Sequence, residues 1–134
     1  MKNRVHISKT KFHVDEENKV VVCVIDVDMQ LPRHPAWSYS YQEMWKKEYP
    51  HVEYDGRFTT KAVSRCNPED TFDVEKGKRI AESRAKAKAF TVATNVYFCV
   101  HKGLEKMLDQ IATSNQACSL AASVEEEHVE ELIK

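Results

Sequence analysis

A chain of 134 residues, 42% hydrophobic and 31% charged, can bury one core without metal or disulfide staples and is too short for two full domains. Twenty Lys and Arg against 21 Asp and Glu leave a net charge of −1, which removes the simplest electrostatic case for a nucleic-acid or membrane-surface binder. No run of about 18 apolar residues occurs, and the opening MKNRVHISKTKFHV alternates instead of forming a signal-peptide core, so neither membrane insertion nor secretion is expected.

In chain order, Val5, Ile7, Phe12 and Val14 mark a first strand region, and the polar stretch 15–18 turns it into KVVVCVIDVDM, residues 19–29. The second strand is apolar on both faces near its start, as in a central strand. Pro32 and Pro35 end it, and the aromatic stretch 36–50 reads as a short helix or an aromatic loop. After the turn Tyr54-Asp55-Gly56, residues 57–66 alternate as a third strand. A helix then starts between Pro68 and Asp73, where acidic side chains complement the macrodipole.

Beyond that start, Ala81, Ala85, Ala89, Ala93, Val96, Val100, Leu104, Met107 and Ile111 recur every three or four residues as one helical stripe. Its first half is alanine, which permits close approach to a sheet. Its second half is bulky and needs another apolar surface, which a second protomer could provide. The alternative is a break near Gly103, with the second helix folding back on the first. Polar residues 113–116 precede an acidic segment, 119–134, with five Glu and one Lys, readable as a short amphipathic helix or a solvated tail. The expected fold is therefore α+β, an N-terminal antiparallel sheet (about 4–66) and a long, kinked or double helix (about 68–113) in one domain spanning 1–118, oligomeric through its helices.

Chemistry-bearing motifs are sparse. Cys23, Cys66, Cys99 and Cys118 lack zinc-ligand spacing, and Cys23 and Cys99 lie in apolar runs as reduced core thiols. The six His fall in no hydrolase or metalloprotease pattern, and no phosphate-cradling glycine loop is present. Asp26 and Asp28 share a strand face and could hold Mg²⁺, but a metal nuclease needs another acid and a base, and a polar strand end is the preferred reading. Six cations between Lys76 and Lys88 against Glu75 and Glu82 give the helix start a local charge of +4, split over two sides, which suits a solvated helix or a phosphate-bearing ligand. Arg57 and Arg65 share one face of the third strand. If that face meets Arg79 or Arg84, a compact anion pocket results, because a guanidinium fork holds two phosphate oxygens at once. The same arginines could instead pair with Glu69, Asp70 or Asp73. Trp37, Tyr39, Tyr41, Trp45, Phe58, Phe72 and Phe90 are planar partners for a nucleobase, or core residues.

Within residues 63–89, Cys66, Pro68 and Asp70 lead into a helix carrying Gly77, Ile80, Ala81, Arg84 and Ala85. This strand-to-helix stretch resembles one found in small phage and prophage proteins. With an N-terminal β region and C-terminal helices, the whole is also similar to the phage Thoeris anti-defence sponge family. That resemblance implies a non-enzymatic, cofactor-free homo-oligomer, dimeric or larger, in a host cytoplasm. Such a protein binds a cyclic ADP-ribose-type or cyclic oligonucleotide signal and withholds it from its effector. The ligand contacts expected here are Arg57, Arg65, Arg79 and Arg84 for phosphate or ribose oxygens, Phe72 or Phe90 for the base, and Asn95 for polar edges. Competing readings are a module that inhibits a host protein through residues 37–49 and the acidic segment, and a nucleic-acid accessory protein using the basic helix.

Overall fold

The computed structural model describes residues 4–32 and 38–134, with side chains described outside 38–41. Trp37, Tyr39 and Tyr41, named above as stacking partners, therefore lie outside the described residues. The elements are β1 (Val5–Asp15), β2 (Val20–Met29), α1 (Ser38–Trp45), β3 (Arg57–Arg65) and α2 (Val74–Leu132). They form two compact units, residues 1–99 and 100–134.

Three antiparallel strands in the order β1-β2-β3 make the sheet. The β1-β2 hairpin turns because Asp15 accepts bonds from the Asn18 backbone (3.1 Å) and side-chain amide (2.8 Å), while Lys19 takes a positive φ of 54°. A register shift between Ile7 and Lys9 bulges β1, so Ile7 and Thr10 both pair with residues of β2's buried set. Alternation sends Val21, Cys23, Ile25, Val27 and Met29 into the core.

The first part of α2 lies over that face. Ala81, Ala85, Ala89 and Ala93 are all buried, so the alanine half of the stripe does seat the helix closely on the sheet. Gly77 sits where an added Cβ would be 2.8 Å from Val21 Cγ2, and the Tyr97 hydroxyl donates to the Gln30 carbonyl. Gly77 to Tyr97 spans about 30 Å of helix, and Val21 to Gln30 spans about 30 Å of strand. Thr60, buried on β3, donates to the Ala85 carbonyl at 3.0 Å. In α1 the expected short helix forms, and Trp45 is fully buried with its indole N–H donating to Val52 at 3.1 Å. That makes Trp45, like the buried Phe58, a core residue and not a stacking platform.

The junction between β3 and α2 explains the strand-to-helix pattern. The Lys19 ammonium donates to the carbonyls of Pro68 (3.1 Å) and Asp70 (2.8 Å), and Cys66 N–H donates to the Lys19 carbonyl (3.0 Å). Around the Cys66 thiol stand the carbonyls of Asn67, Asp70 and Thr71 at 3.4–3.9 Å. Asp73 caps the helix by accepting Lys76 N–H at 3.1 Å. The motif residues thus build a turn and a close helix-sheet contact.

Two helical expectations resolve in favour of continuity. α2 runs unbroken through Gly103, through the polar residues 113–116 and to Leu132, so the acidic segment is helical. Within it the Ser123 hydroxyl donates to the Ser119 carbonyl at 3.2 Å, one turn back along the helix.

Candidate functional site: the open sheet face

The face of the sheet opposite α2 carries residues that are exposed or half-buried. Its rows follow from the register: His6–Asp28–Arg57, Lys9–Asp26–Thr59, Lys11–Val24–Lys61, His13–Val22–Val63 and Asp15–Val20–Arg65. A half-buried strip of Val20, Val22, Val24 and Val63 runs along the centre, with cations on both sides. Strands lie about 4.8 Å apart, which sets Lys11 and Lys61 roughly 10 Å from each other across Val24.

Charge is uneven along this face. At the Arg57 end the guanidinium pairs with Asp55 (3.4 Å), and Asp26 accepts from the Thr59 hydroxyl (3.0 Å). Lys9, cross-strand neighbour of that Asp26, and, toward the hairpin, Lys11, Lys61 and Arg65 form no ion pair among the described residues. The nearby Asp15 is engaged with Asn18, whose amide bonds hold its carboxyl below the usual range. His13, Val20, Val22 and Arg65, with Asp15 and Asn18 among the other lining residues, surround a shallow concavity of about 520 Å³ there. Chemically this is a flat cationic surface with an apolar floor, suited to an anion carrying a planar or sugar moiety.

The compact anion pocket expected from the arginines is not formed within one chain. Arg57 and Arg65 do share a strand face, but it is the one turned away from α2, and eight residues of strand put them about 26 Å apart. Arg84 instead donates to the Val63 carbonyl at 2.9 Å, and Lys88 to the Lys61 carbonyl at 2.9 Å, both along the outer edge of β3. Four residues of helix rise about 6 Å and two of strand about 6.6 Å, so the spacing of these cations matches that of the edge carbonyls. They cover an edge that would otherwise pair with another strand. Arg79 and Asn95 are exposed on α2, and Phe90 is 39% exposed. Phe72 is half-buried beside Gly77. Arg79 and Phe90 fall on one line of the helix and Arg84 and Asn95 on another, each pair about 16 Å apart along the axis. None of these four joins the sheet-face cations.

Lys9, Lys11 and Lys61 were not among the expected contacts. Lys61 was accessible to period-two counting, four residues from both Arg57 and Arg65. Lys9 and Lys11 reach the open face by unbroken alternation from the hairpin, opposite in phase to Phe12 and Val14, and the β1 bulge acts only beyond them, returning Val5 and Ile7 to the core side. Among the described residues no group of three or more His, Cys, Asp or Glu could hold a metal ion. Cys23 is buried and Cys99 half-buried, and burial pushes both thiols up from their ordinary value; Cys99 also donates to Glu48 at 3.6 Å. No helix is long and apolar enough to cross a membrane, among the described residues. No protein family, curated protein or solved structure matches this chain.

Proposed function

We propose that the chain is a non-enzymatic binding protein of the phage anti-defence type. It takes up a cyclic ADP-ribose-type or cyclic oligonucleotide signal in the host cytoplasm and withholds it without degrading it. The observation that supports this reading is the set Lys11, Lys61 and Arg65, cations in no ion pair that flank a valine strip on an uncovered sheet face, with Lys9 beside Asp26 at its margin. Phosphates would take the cations, and the valines would floor a base or ribose. Arg84, whose guanidinium donates to the Val63 carbonyl on the β3 edge, is not part of this sheet-face set.

The test is calorimetry of the purified chain against cyclic ADP-ribose isomers and cyclic dinucleotides, with heat release and chromatography of the recovered ligand. Binding with intact release is expected. Lys61→Glu with Arg65→Glu should weaken it at least about tenfold, roughly the loss of one charge-assisted contact, while Arg84→Ala leaves it unchanged. No binding across the panel, turnover of the ligand, or affinity indifferent to the charge reversal would each overturn the proposal.

A further inference from the structure

The unit formed by residues 100–134 is helix whose apolar side chains from Leu108 onward lie in solvent, Leu108 being 64% exposed, Ile111 60% and Leu132 69%, while Leu104 is half-buried. Leu104, Leu108, Ile111, Cys118, Val129 and Leu132 fall on positions that alternate in steps of four and three when Asn115, Ala122 and Glu125 fill the gaps. That is the heptad seam of a coiled coil, a repeat that commits a helix to a helical partner. The seam is also lopsided. Its N-terminal half is large (Leu104, Leu108, Ile111), and its C-terminal half is small, polar or acidic (Asn115, Cys118, Ala122, Glu125).

We infer that the occupant of this stripe is a second copy of the same chain, running antiparallel, with the two helices crossing near residue 113. In that register Leu104 meets Ala122, Leu108 meets Cys118, Ile111 meets Asn115 and His101 meets Glu125 of the other copy. Each large residue is set against a small one, as close packing of facing layers requires. A parallel in-register pair would instead stack Leu on Leu, Asn on Asn and Glu125 on Glu125, placing two carboxylates at one layer of the seam. Over residues 101–125 the stripe is thus complementary to its own reverse in size, and the reversal keeps the two Glu125 carboxylates apart. The inference uses a different surface from the ligand reading and stands without it.

Sedimentation equilibrium of the full chain, with disulfide mapping after mild oxidation, tests it. A dimer is expected for the native protein, without a Cys118–Cys118 bridge, because Cys118 faces Leu108 of its partner. Leu108→Cys should then yield an intermolecular bridge from residue 108 to Cys118, two per dimer. Leu108→Glu with Ile111→Glu should dissociate the dimer, and retained far-ultraviolet dichroism of the sheet would separate this from unfolding. A monomer at tens of micromolar, with or without binding to an unrelated helix, overturns the proposal. A Cys118–Cys118 bridge in the native dimer overturns the antiparallel register.

Discussion

Gly77 is the position where helix propensity and packing oppose each other most directly. Replacing it with alanine in an exposed helix would stabilise the protein by about 1 kcal/mol, because glycine has more backbone freedom to lose. Here the new methyl would stand 2.8 Å from Val21 Cγ2 and 3.6 Å from Val21 Cβ. Val21 is fully buried in the central strand, and a β-branched side chain has no low-cost rotamer to escape into. Overpacking of this kind costs about 1–3 kcal/mol, so Gly77→Ala should destabilise by about 0–2 kcal/mol net. Val21→Ala alone should also destabilise, by roughly 1–3 kcal/mol through its cavity. In the Val21→Ala background the clash is gone and the new methyl fills part of the void, so Gly77→Ala becomes stabilising. The double-mutant cycle in urea, followed by far-ultraviolet dichroism at one fixed protein concentration, should show a coupling of about 1–3 kcal/mol. Additive effects, or a stabilising Gly77→Ala in the native background, would refute the argument that this glycine exists for the contact with β2.

Three further outcomes are expected. Lys19→Ala removes an ammonium that donates to two carbonyls of the β3-α2 junction, and should cost about 1–3 kcal/mol in denaturant midpoint with early loss of amide protection at residues 67–73. Arg84→Ala with Lys88→Ala uncovers the Val63 and Lys61 carbonyls; a modest loss of stability, about 1 kcal/mol, should accompany a rise in concentration-dependent light scattering on warming. Thiol labelling from pH 7 to 9 should modify the exposed Cys118 first. Cys99 should follow only at the alkaline end, because burial and the Glu48 carboxylate both raise its thiol, and Glu48→Gln should bring its labelling to lower pH.

Much of the architecture is written in local chemistry. Period-two alternation over 57–65 and the apolar run of β2 define strands, the polar stretch at 15–18 defines a turn, and the alanine stripe from Ala81 to Ala93 defines the side of α2 that meets the sheet. These are short-range signals, because a side chain's face is set by backbone period alone. Even the shared face of Arg57 and Arg65 was legible in this way. Which face that would be was not: strand alternation assigns residues to two sides, and only the packing of α2 on the Phe58, Thr60, Ala62 and Ser64 side turns the arginines outward. The bulge near Ser8 likewise returns Val5 and Ile7 to the core side opposite Met29 and Val27, a matter of register with β2. Continuity of α2 through Gly103 and 113–116 was the other matter that the residue pattern left open. A glycine and a hydroxyl-rich stretch weaken a helix by about 1 kcal/mol each, small enough for the surrounding turns to override. Composition and period therefore settled the elements and their buried sides, while long-range packing decided where the cations meet. It took Arg84 out of an anion site and gave it to the edge of β3, because a guanidinium one helix turn from Lys88 matches the spacing of carbonyls along a strand.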